Sequence, residues 1–376
     1  MHVYFIDNEN PFRDSSGGIM SYIVNVSKFL EQKQIKTSLI GTGYENGVKI
    51  SNRNIAFSEY IPIIKKNNIS NLRYILTLIF KIRFIGIEKS AIIHAQRPDM
   101  TIPALLLNKD NPIICSLHGA HDKAVFDKKG IFQGYFYSFL QRLSFKKVDM
   151  LVAVDDDTKK YFLGRYPWIE GKITVVPVAV DMDRFRPLDK MKIRERYNFG
   201  RDDKIIIFVG RLEKEKNLQM LVNAFDRIKR KMGHAKLLLV GRGREEHKLR
   251  ERIQERRLED VIFMNEVKNE KVPELLSCAD VFAFCSLYEG SPTVIKEALA
   301  CNVPVVSVDV GDVRKVLENI DGCYIADRNV VDFTRKILRV LEEGQKIDSR
   351  EKMLQFSRES IGEATLRIYE SLYKEA

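Results

Sequence analysis

The chain has 376 residues, of which 45% are hydrophobic and 30% are charged, with 21 glycines and 11 prolines. This composition excludes a disordered, collagen-like or low-complexity protein, and the length allows two domains of roughly 100 to 200 residues each. The net charge of +11 favours an anionic partner such as a phosphate group, an acidic lipid surface or nucleic acid, without choosing among them.

Short apolar runs alternate with longer amphipathic stretches along the chain, which is typical of βαβ units around a parallel sheet. A polar, proline-containing stretch at 181–190 separates two such series. We therefore predict two doubly wound α/β domains, 1–183 and 184–350, and a helical segment, 351–376, that packs back toward the first domain. Ligands of such sheets bind beyond the carboxyl ends of the strands, so we expect the active site in the cleft between the domains. The predicted strands are 2–6, 35–41, 91–95, 112–117, 148–154 and 172–176, then 204–209, 236–240, 279–285, 304–308 and 323–326.

Cysteine usage and hydropathy bear on the compartment. The five cysteines are an odd number without a Cys-x-x-Cys pair, which is typical of reduced thiols rather than of disulfides or a zinc site. The chain opens directly on a strand-like segment, and its longest apolar stretch, 72–87, is interrupted by Lys81 and Arg83. We therefore expect a cytoplasmic protein without a spanning helix. The cysteines are Cys115, Cys278, Cys285, Cys301 and Cys323.

The most informative segment is 285–312, which reads "CSLYEGSPTVIKEALACNVPVVSVDVGD". Ser291 followed by Pro292 predicts a helix start with the serine as N-cap. The helix should end near Asn302, a residue type that tolerates the left-handed conformation. Gly290 permits a close backbone approach just before the helix. Backbone N–H groups at such a start attract anions, so a phosphate is expected here.

Two carboxylates frame this predicted anion site, Glu289 in the loop and Glu297 within the helix. A carboxylate beside a diphosphate would be repelled by it, so both are better suited to accept hydrogen bonds from sugar hydroxyls. The plainer alternative is a loop residue and a solvated helix residue with no shared role.

A second segment, 208–217, reads "FVGRLEKEKN". Gly210 and Arg211 follow a predicted strand directly, and Lys216 lies at the start of the next helix. The planar guanidinium and the compact ammonium are both suited to a diphosphate. The alternating Glu and Lys residues also fit an ordinary solvated charge run, although Arg211 directly after the strand favours a binding role.

These segments, in this order, resemble the retaining glycosyltransferases of family 4, which have the GT-B fold of two Rossmann-like domains facing each other across a cleft. The resemblance covers most of the C-terminal half, and Glu-x7-Glu followed by "EALACNVPVV" is its most specific part. It implies that Glu289 contacts the donor sugar and Glu297 the nucleotide ribose, while Arg211 and Lys216 hold the diphosphate. Further implied donor-binding positions are Gly210, Gly290, Ser291, Pro292, Thr293 and Val294, with Glu266, Val267 and Lys268 near the nucleobase.

The N-terminal half resembles the family more loosely. The segment "SSGGIMSYIVNVSKFL" resembles the glycine pair that opens the first helix, which implies that Gly17 and Gly18 approach the donor phosphate. His118 in "CSLHGAH" resembles the active-site histidine near the donor sugar. A simple glycine turn and a structural histidine are the plainer alternatives, and His94 and His121 are predicted to be structural.

The chain departs from the family pattern at three places. Val178 and Ala179 stand where an Asn-Gly pair is common, so no function is carried onto them. Asn265 and Asn302 replace frequent glycines, a mild change because asparagine tolerates positive φ.

Two other enzyme classes fit the sequence less well. The segment "VGRGREE" places Gly241 and Gly243 after a strand, but Glu246 stands where a dinucleotide-binding fingerprint needs a small residue. Asp181 and Asp183 match the Asp-x-Asp pair of metal-dependent glycosyltransferases, yet they lie in the predicted linker. A sugar-nucleotide epimerase of the same fold remains an alternative.

A non-enzymatic alternative, binding to nucleic acid or another anionic surface, rests on the net charge alone. The basic excess is spread over both halves without a reading motif, so we expect no nucleic-acid partner. An apolar stripe at helical spacing is flanked by Arg142, Lys146 and Lys147, and 72–87 is a second basic, apolar stretch. Such a stripe is more often core against a sheet, although contact with an anionic bilayer is the alternative. The stripe is Phe132, Tyr135, Phe136, Phe139, Leu140 and Leu143.

The sequence thus predicts a retaining glycosyltransferase that moves a sugar from a nucleotide-diphosphate sugar to a hydroxyl of a glycan or lipid-linked acceptor. The family resemblance implies cell-surface polysaccharide or glycolipid synthesis. The two basic, apolar stretches are the separate reason to consider peripheral contact with an anionic inner membrane surface. Protein cations and a helix start stabilise the departing diphosphate, so no metal and no other cofactor is expected.

Overall fold

The computed structural model describes residues 1–11, 18–43, 57–65, 69–107, 110–122, 125–126, 130–265, 267–344 and 346–375. The chain divides into two compact units, Met1–Ala179 with Arg358–Ala376, and Val180–Ser357. The predicted boundaries, after 183 and after 350, lie a few residues away from these. The second boundary comes later because Met353 and Phe356 are buried in the core of the second unit.

The first unit is a sheet of seven parallel strands in the order β3-β2-β1-β4-β5-β6-β7. Hydrophobic strands buried on both faces explain the parallel arrangement. The strands are β1 (His2–Ile6), β2 (Lys36–Thr42), β3 (Glu59–Ile64), β4 (Ile92–Ala95), β5 (Ile113–Leu117), β6 (Met150–Ala153) and β7 (Ile173–Val175). The helices between them include α1 (Gly18–Gln32), α2 (Asn71–Lys81), α3 (Ile131–Lys147) and α4 (Asp156–Arg165).

The second unit is a sheet of six parallel strands in the order β10-β9-β8-β11-β12-β13. Its strands are β8 (Lys204–Val209), β9 (Ala235–Val240), β10 (Val261–Met264), β11 (Val281–Phe284), β12 (Val305–Val308) and β13 (Tyr324–Ala326). Its helices are α5 (Lys190–Arg196), α6 (Leu218–Lys231), α7 (Glu246–Glu255), α8 (Val272–Cys278), α9 (Thr293–Ala300), α10 (Val313–Leu317), α11 (Val330–Glu343) and α12 (Arg350–Met353). The final helix, α13 (Arg358–Glu375), belongs to the first unit and packs against α1.

All eleven predicted strands are present, with ends that differ by at most two residues. The sequence analysis missed β3 and β10, which are the outer strands at one edge of each sheet. Both are only partly buried, and β3 contains Pro62. Edge strands have one neighbour and fewer apolar contacts, so their sequences carry a weaker strand pattern.

The core of the first unit lies on both faces of its sheet. One cluster packs under α2, α3 and α4 and includes Tyr74, Phe145 and Phe162, and the other packs under α1 and α13 and includes Tyr22 and Tyr369. The second unit has one large cluster, which includes the stacked rings of Phe208, Phe282 and Phe284. Both sheets are therefore covered by helices on both faces, as a doubly wound fold requires.

Helix α3 does not pack its apolar stripe into the core, contrary to the prediction. It buries Gln141 and Ser144 together with Tyr137 and Phe145. Of the predicted stripe, Leu140 is half-buried and the other five residues are exposed. The prediction that the stripe packs into the core was therefore wrong for those five residues. The exposed residues are Ile131, Phe132, Tyr135, Phe136, Phe139 and Leu143. No helix in the described ranges is long and apolar enough to cross a bilayer.

Candidate active site

The two segments singled out in the second half follow neighbouring strands of one sheet. The winding of the second sheet reverses between β8 and β11, which lie side by side. Parallel sheets bind ligands beyond the carboxyl ends of strands at this kind of switch point. The loop after β8 carries Arg211 and Lys216, and the loop after β11 carries Glu289. The topology therefore brings the predicted donor-binding loops to one edge.

Backbone and thiol hydrogen bonds connect these two loops. The N–H of Leu287 donates to the carbonyl of Glu215 at 2.8 Å. The Cys285 thiol lies 3.3 Å from the carbonyl oxygens of both Lys216 and Asn217. The loops are thus fixed to each other independently of their charged side chains.

Lys216 and Glu289 form an ion pair across the two loops, with Nζ of the lysine donating to Oε1 of the glutamate. Both side chains are largely buried, and the ammonium also lies 5.5 Å from the centre of the Phe284 ring. The sequence analysis assigned each residue to the ligand but did not predict that they contact each other. The pair keeps two opposite charges adjacent at the switch point.

Arg211 is more accessible than Lys216. Its side chain is 72% exposed, and its Nη2 atom lies 3.7 Å from Oε1 of Glu215. An exposed ion pair of this length contributes little to stability. The guanidinium is therefore available to an anion at the carboxyl end of β8.

Helix α9 begins one residue later than expected. Pro292 occupies the N-cap position without a side-chain hydrogen bond, and Thr293 is the first helical residue. The prediction that Ser291 is the N-cap was wrong, because its hydroxyl donates to Oδ2 of Asp312 at 2.7 Å instead. In the described part of the chain, the N-cap residue therefore offers no side-chain hydrogen bond to the N–H groups of Thr293 and Val294 at the start of α9. Gly290, just before this turn, accepts a hydrogen bond from the N–H of Asp312 at 3.1 Å.

The end of α9 agrees with the sequence prediction. Asn302 has a φ of 57°, the left-handed conformation expected of an asparagine in a glycine position. Its Oδ1 accepts hydrogen bonds from the N–H groups of Ser349 and Arg350, each at 3.1 Å. The asparagine thus adds contacts that a glycine could not make.

Glu297 lies within α9 and is partly buried. Burial raises the pKa of its carboxyl to about 7, while the Arg184 guanidinium opposes the rise and Asp181 adds to it. Among the described residues, no group donates a hydrogen bond to this carboxylate. A carboxylate in this setting can accept hydrogen bonds from the hydroxyls of a ligand.

Lys296, the neighbour of Glu297, was missed by the sequence analysis. Its side chain is 0% exposed, and it donates hydrogen bonds to Ser291 Oγ at 2.5 Å and to Asp312 Oδ2 at 2.7 Å. Lys296 is the single cation in the helix "TVIKEALA", a local pattern that does not distinguish a buried lysine from a solvated one. Its pairing with Asp312, sixteen residues later, has no local pattern.

The glycines of "VGRGREE" have a packing explanation. A Cβ atom on Gly241 would lie 2.1 Å from the carbonyl oxygen of Gly210, and one on Gly243 would lie 2.1 Å from that of Leu212. Only glycine allows the two loops after β8 and β9 to approach this closely. These glycines therefore need no dinucleotide to account for them.

The predicted nucleobase segment follows β10. Val267 packs, partly buried, against the core of the second unit, and Lys268 precedes a short 3-10 turn, Asn269–Lys271. Glu266 lies outside the described residues. Its neighbour Asn265 donates a hydrogen bond to Oε1 of Glu246 at 2.6 Å.

The Asp-x-Asp pair has a structural role at its first residue. Oδ1 of Asp181 accepts a hydrogen bond from the N–H of Arg184 at 3.2 Å. In the part of the chain that the structure describes, no group of three or more His, Cys, Asp or Glu residues could hold a metal ion.

In the first unit, the predicted histidine His118 follows β5. Its Nε2 donates to Oε1 of Gln96 at 3.0 Å, and its ring lies edge-on to Tyr22, 5.4 Å between centres. Burial lowers the pKa of His118 to about 3, aided by nearby imidazoles and Arg97. The imidazole is therefore neutral at physiological pH. Gly18 begins α1, whereas Gly17 lies outside the described residues.

His94 is structural, as the sequence analysis expected. Its Nδ1 lies 2.6 Å from the hydroxyl of Tyr369 on α13, and its Nε2 lies 2.8 Å from the hydroxyl of Ser116. Burial lowers the pKa of His94 to about 3. This neutral network connects the C-terminal helix to the carboxyl end of the first sheet.

Two family models match the chain, and together they cover most of it. Residues 189–360 match the glycosyl transferases group 1 model, and residues 16–184 match the glycosyltransferase family 4 model. The chain belongs to the group 1 glycosyltransferases. The resemblance inferred from Glu-x7-Glu and its flanking segments is thus confirmed.

Curated relatives of this glycosyltransferase are distant and are matched in part. It is 28% identical to an uncharacterised glycosyltransferase of Methanocaldococcus jannaschii, over 55% of this chain and 52% of that protein. It is 30% identical to the putative teichuronic acid biosynthesis glycosyltransferase TuaC of Bacillus subtilis, over 62% and 56%. The match thus spans about half the length of these relatives. A UDP-Gal:α-D-GlcNAc-diphosphoundecaprenol α-1,3-galactosyltransferase of Escherichia coli is 23% identical over 76% of this chain and 74% of its own.

Solved structures with the same fold match the full length of this chain. Sucrose-phosphate synthase from Thermosynechococcus elongatus superposes with a TM-score of 0.86, at 18% identity, over 100% of both chains. Anabaena HepE in complex with UDP-glucose superposes with a TM-score of 0.78, at 16% identity, over 99% of this chain and 100% of that one. These similarities confirm the predicted two-domain α/β GT-B fold.

Proposed function

We propose that this group 1 glycosyltransferase moves a sugar, with retention of configuration, from a nucleotide-diphosphate sugar to an acceptor hydroxyl. The observation that carries the proposal is the Lys216–Glu289 pair at the switch point of the second sheet. One member of the pair is suited to a phosphate and the other to sugar hydroxyls. A donor that carries both groups would therefore satisfy each partner when the pair separates.

The remaining donor contacts follow from the charges around this pair. Arg211 and the uncapped start of α9 would share the diphosphate with Lys216, and together they would stabilise the charge that develops on the leaving group. Because these groups supply that stabilisation, the reaction is proposed to need no metal ion. Glu297 would accept hydrogen bonds from the nucleotide ribose, and Gly18 and His118 stay predicted contacts of the first unit.

The names of related proteins support the classes of donor and acceptor. The Anabaena relative in fold was solved with UDP-glucose, and the Escherichia coli relative is named for a UDP-galactose donor and a diphosphoundecaprenol-linked acceptor. We therefore propose a nucleotide-sugar donor and a glycan or lipid-linked acceptor, in cell-surface polysaccharide or glycolipid synthesis. An epimerase of the same fold is the alternative function kept from the sequence.

The proposal is tested by incubating the protein with UDP-, GDP- and ADP-sugars, with and without an undecaprenyl-diphosphate-linked sugar, in the presence of EDTA. Transfer that depends on the acceptor and gives a product with the anomeric configuration of the donor is expected. Inversion would contradict the retaining mechanism, and loss of activity in EDTA would contradict metal independence. Conversion of the sugar nucleotide into an epimeric sugar nucleotide without any acceptor would indicate an epimerase.

We also propose that the first unit contacts an anionic membrane, where a lipid-linked acceptor would be found. The supporting observation is that α2 and α3, which cover the same face of the first sheet, each expose several apolar side chains. Phe132 is 92% exposed and Phe84, just after α2, is 88% exposed. Single exposed apolar side chains are common, but several of them grouped along one helix are typical of a binding surface. The α2–α3 surface comprises Leu72, Leu76, Phe80, Phe84, Ile131, Phe132, Tyr135, Phe136, Phe139 and Leu143.

The charges around the α2–α3 surface match an anionic bilayer rather than a neutral apolar partner. Arg142, Lys146 and Lys147 are exposed on α3, and Arg73 and Arg83 are exposed on or beside α2. Aromatic residues that enter the headgroup region, surrounded by cations, are the pattern of an interfacial helix. Helix α3 buries the polar Gln141 and Ser144 while Phe132, Phe136 and Phe139 are exposed.

Flotation with vesicles of phosphatidylglycerol and phosphatidylethanolamine tests the membrane proposal. Wild type should float at low salt, and the triple variant Phe132→Ser/Phe136→Ser/Phe139→Ser should not. The matched control is Val331→Ser, which removes an exposed apolar side chain from α11 of the second unit and should float like wild type. Failure of wild type to float, or flotation of the triple variant, would contradict the proposal.

A further inference from the structure

Three side chains form a closed network beside the predicted donor-binding residues. Lys296 Nζ donates to Ser291 Oγ and to Asp312 Oδ2, and the Ser291 hydroxyl donates to the same Asp312 oxygen at 2.7 Å. The ammonium also lies 4.4 Å from the centre of the Phe356 ring. Lys296 is fully buried and the Asp312 side chain is 9% exposed. We refer to Ser291, Lys296 and Asp312 as the α9 network.

The α9 network joins two loops that follow adjacent strands. Ser291 belongs to the loop after β11, and Asp312 belongs to the loop after β12, the next strand in the sheet. The backbone repeats the connection, because the N–H of Asp312 donates to the carbonyl of Gly290 at 3.1 Å. Gly311 has a φ of 53°, and a Cβ atom there would lie 1.6 Å from the same carbonyl oxygen. The loop that carries Glu289 is therefore bonded both to α9, through Lys296, and to the loop after β12, through Asp312.

The energetics of this network point away from stability as its main role. A buried ion pair gains less than it costs in desolvation unless all its atoms are paired, and an apolar pair of similar size is often at least as stable. Oδ1 of Asp312 is buried without a hydrogen-bond partner in the described part of the chain. A network that is only partly satisfied is a costly way to fill a core.

The network lies between the two glutamates of the Glu-x7-Glu pair. Lys296 directly precedes Glu297 on α9, and Ser291 comes two residues after Glu289. One ammonium thus connects the helix that bears one carboxylate to the loop that bears the other. A rigid connection of this kind fixes the relative position of two ligand-binding groups.

We propose that Lys296 and Asp312, through Ser291, are positioning residues that hold Glu289 and Glu297 in the relative placement that the donor requires. This inference rests on the proposed function, because it takes the two glutamates as donor contacts. Lys296 and Asp312 themselves touch neither the sugar nor the nucleotide in this account. Its effect should therefore be greatest on ligands that span both glutamates.

The deciding experiment separates stability from positioning with a double variant. Lys296→Met leaves Asp312 buried without its cation, so its Tm should fall. Lys296→Met/Asp312→Leu removes both charges and should recover most of that loss. The proposal predicts that the double variant still turns over the donor about 100-fold more slowly than wild type, because misplacement of a binding group by about 1 Å has an effect of that size.

The affinities of the same variants for the nucleotide and for the sugar nucleotide show which part of donor binding is lost. Calorimetric titration with UDP and with UDP-glucose, or with the corresponding GDP or ADP pair if wild type prefers it, compares ligands without and with the sugar. Wild type should bind the sugar nucleotide more tightly than the nucleotide alone, and the double variant should lose this difference in affinity. As a matched control, Arg194→Met removes a buried cation that pairs with Asp280 before β11, at the other end of the strand. Arg194→Met should lower the Tm and leave the sugar-dependent difference in affinity unchanged.

The outcomes distinguish the two proposals. If the double variant recovers both Tm and turnover, the α9 network is only structural and the inference is overturned. If Arg194→Met loses the sugar-dependent affinity to the same extent, the effect is general destabilisation and the inference is again overturned. If wild type binds no nucleotide diphosphate, the proposed function fails first, and the positioning role fails with it.

Discussion

The carboxyl edges of the two sheets differ in how their polar groups are paired. At the edge of the second sheet, opposite charges meet in ion pairs, as between Lys216 and Glu289, and Arg211 is exposed nearby. At the edge of the first sheet, His94 and His118 are neutral imidazoles held by hydroxyl and amide groups. The second edge is thus suited to a polyanionic nucleotide, whereas the two histidines of the first edge offer hydrogen bonds without charge, beside a separate Arg97–Asp99 ion pair.

The strongest test of this difference is Lys216→Ala. The change removes a cation from the proposed diphosphate site and leaves Glu289 without its partner, so kcat/KM for sugar transfer should fall by about 100- to 1000-fold. Steady-state kinetics measure the effect, with Lys214→Ala as the control because Lys214 is exposed in the same turn. Equal losses in both variants, or none in Lys216→Ala, would contradict a specific role for Lys216.

A second test uses the raised pKa of Glu297, about 7. The folded protein holds a proton on this carboxyl between its ordinary pKa, near 4.5, and 7, where the unfolded chain has lost it. Glu297 therefore destabilises the fold increasingly as the pH rises through this window. Glu297→Gln removes that effect, so its stability relative to wild type should improve by about 2 kcal/mol between pH 5 and pH 8.

Thermal unfolding at the two pH values checks this prediction. Nucleotide binding should change in the opposite sense, because the ionised carboxylate is the better acceptor for ribose hydroxyls. Wild-type affinity should rise from pH 6 to pH 8 by more than the affinity of Glu297→Gln, in which only the ionisation of the nucleotide phosphate contributes. A stability difference that does not vary with pH would mean that the carboxyl titrates normally.

The third test concerns His94 at the edge of the first sheet, where no effect on nucleotide binding is expected. Tyr369→Phe removes the hydroxyl that bonds His94 Nδ1 and leaves this buried nitrogen without a partner, which costs about 1–3 kcal/mol of stability. Urea unfolding measures the loss, and Tyr373→Phe, at an exposed position on α13, is the control. Nucleotide affinity should stay at the wild-type value. A change in affinity would show that the two edges are not as independent as their chemistry indicates.

The sequence allowed most of the fold and the donor loops to be predicted, because both depend on local pattern. Buried central strands such as β8 and β11 are continuous apolar runs, and the polar residues that follow them lie at one edge by topology. The edge strands β3 and β10 escaped prediction since they are only half-buried.

The sequence could not predict which residues far apart in the chain form hydrogen bonds or pack together. A serine before a proline is a good N-cap locally, but Ser291 bonds Asp312, twenty-one residues later. Lys296 has the local pattern of a solvated residue, and only the fold shows that it is buried. The stripe on α3 has the same periodicity whether it faces a sheet or solvent, so its orientation had to come from the structure.

The central claim, that the second unit binds a nucleotide diphosphate through Glu297 and its neighbours, is tested most directly by calorimetric titration. UDP, GDP, ADP and NAD would each be titrated into wild type and into Glu297→Ala, with EDTA present throughout. The account predicts that wild type binds one of the three diphosphates and that the variant binds it at least about tenfold more weakly, a loss of about 1.4 kcal/mol. Binding of NAD alone, no binding at all, or equal binding by wild type and variant would contradict it.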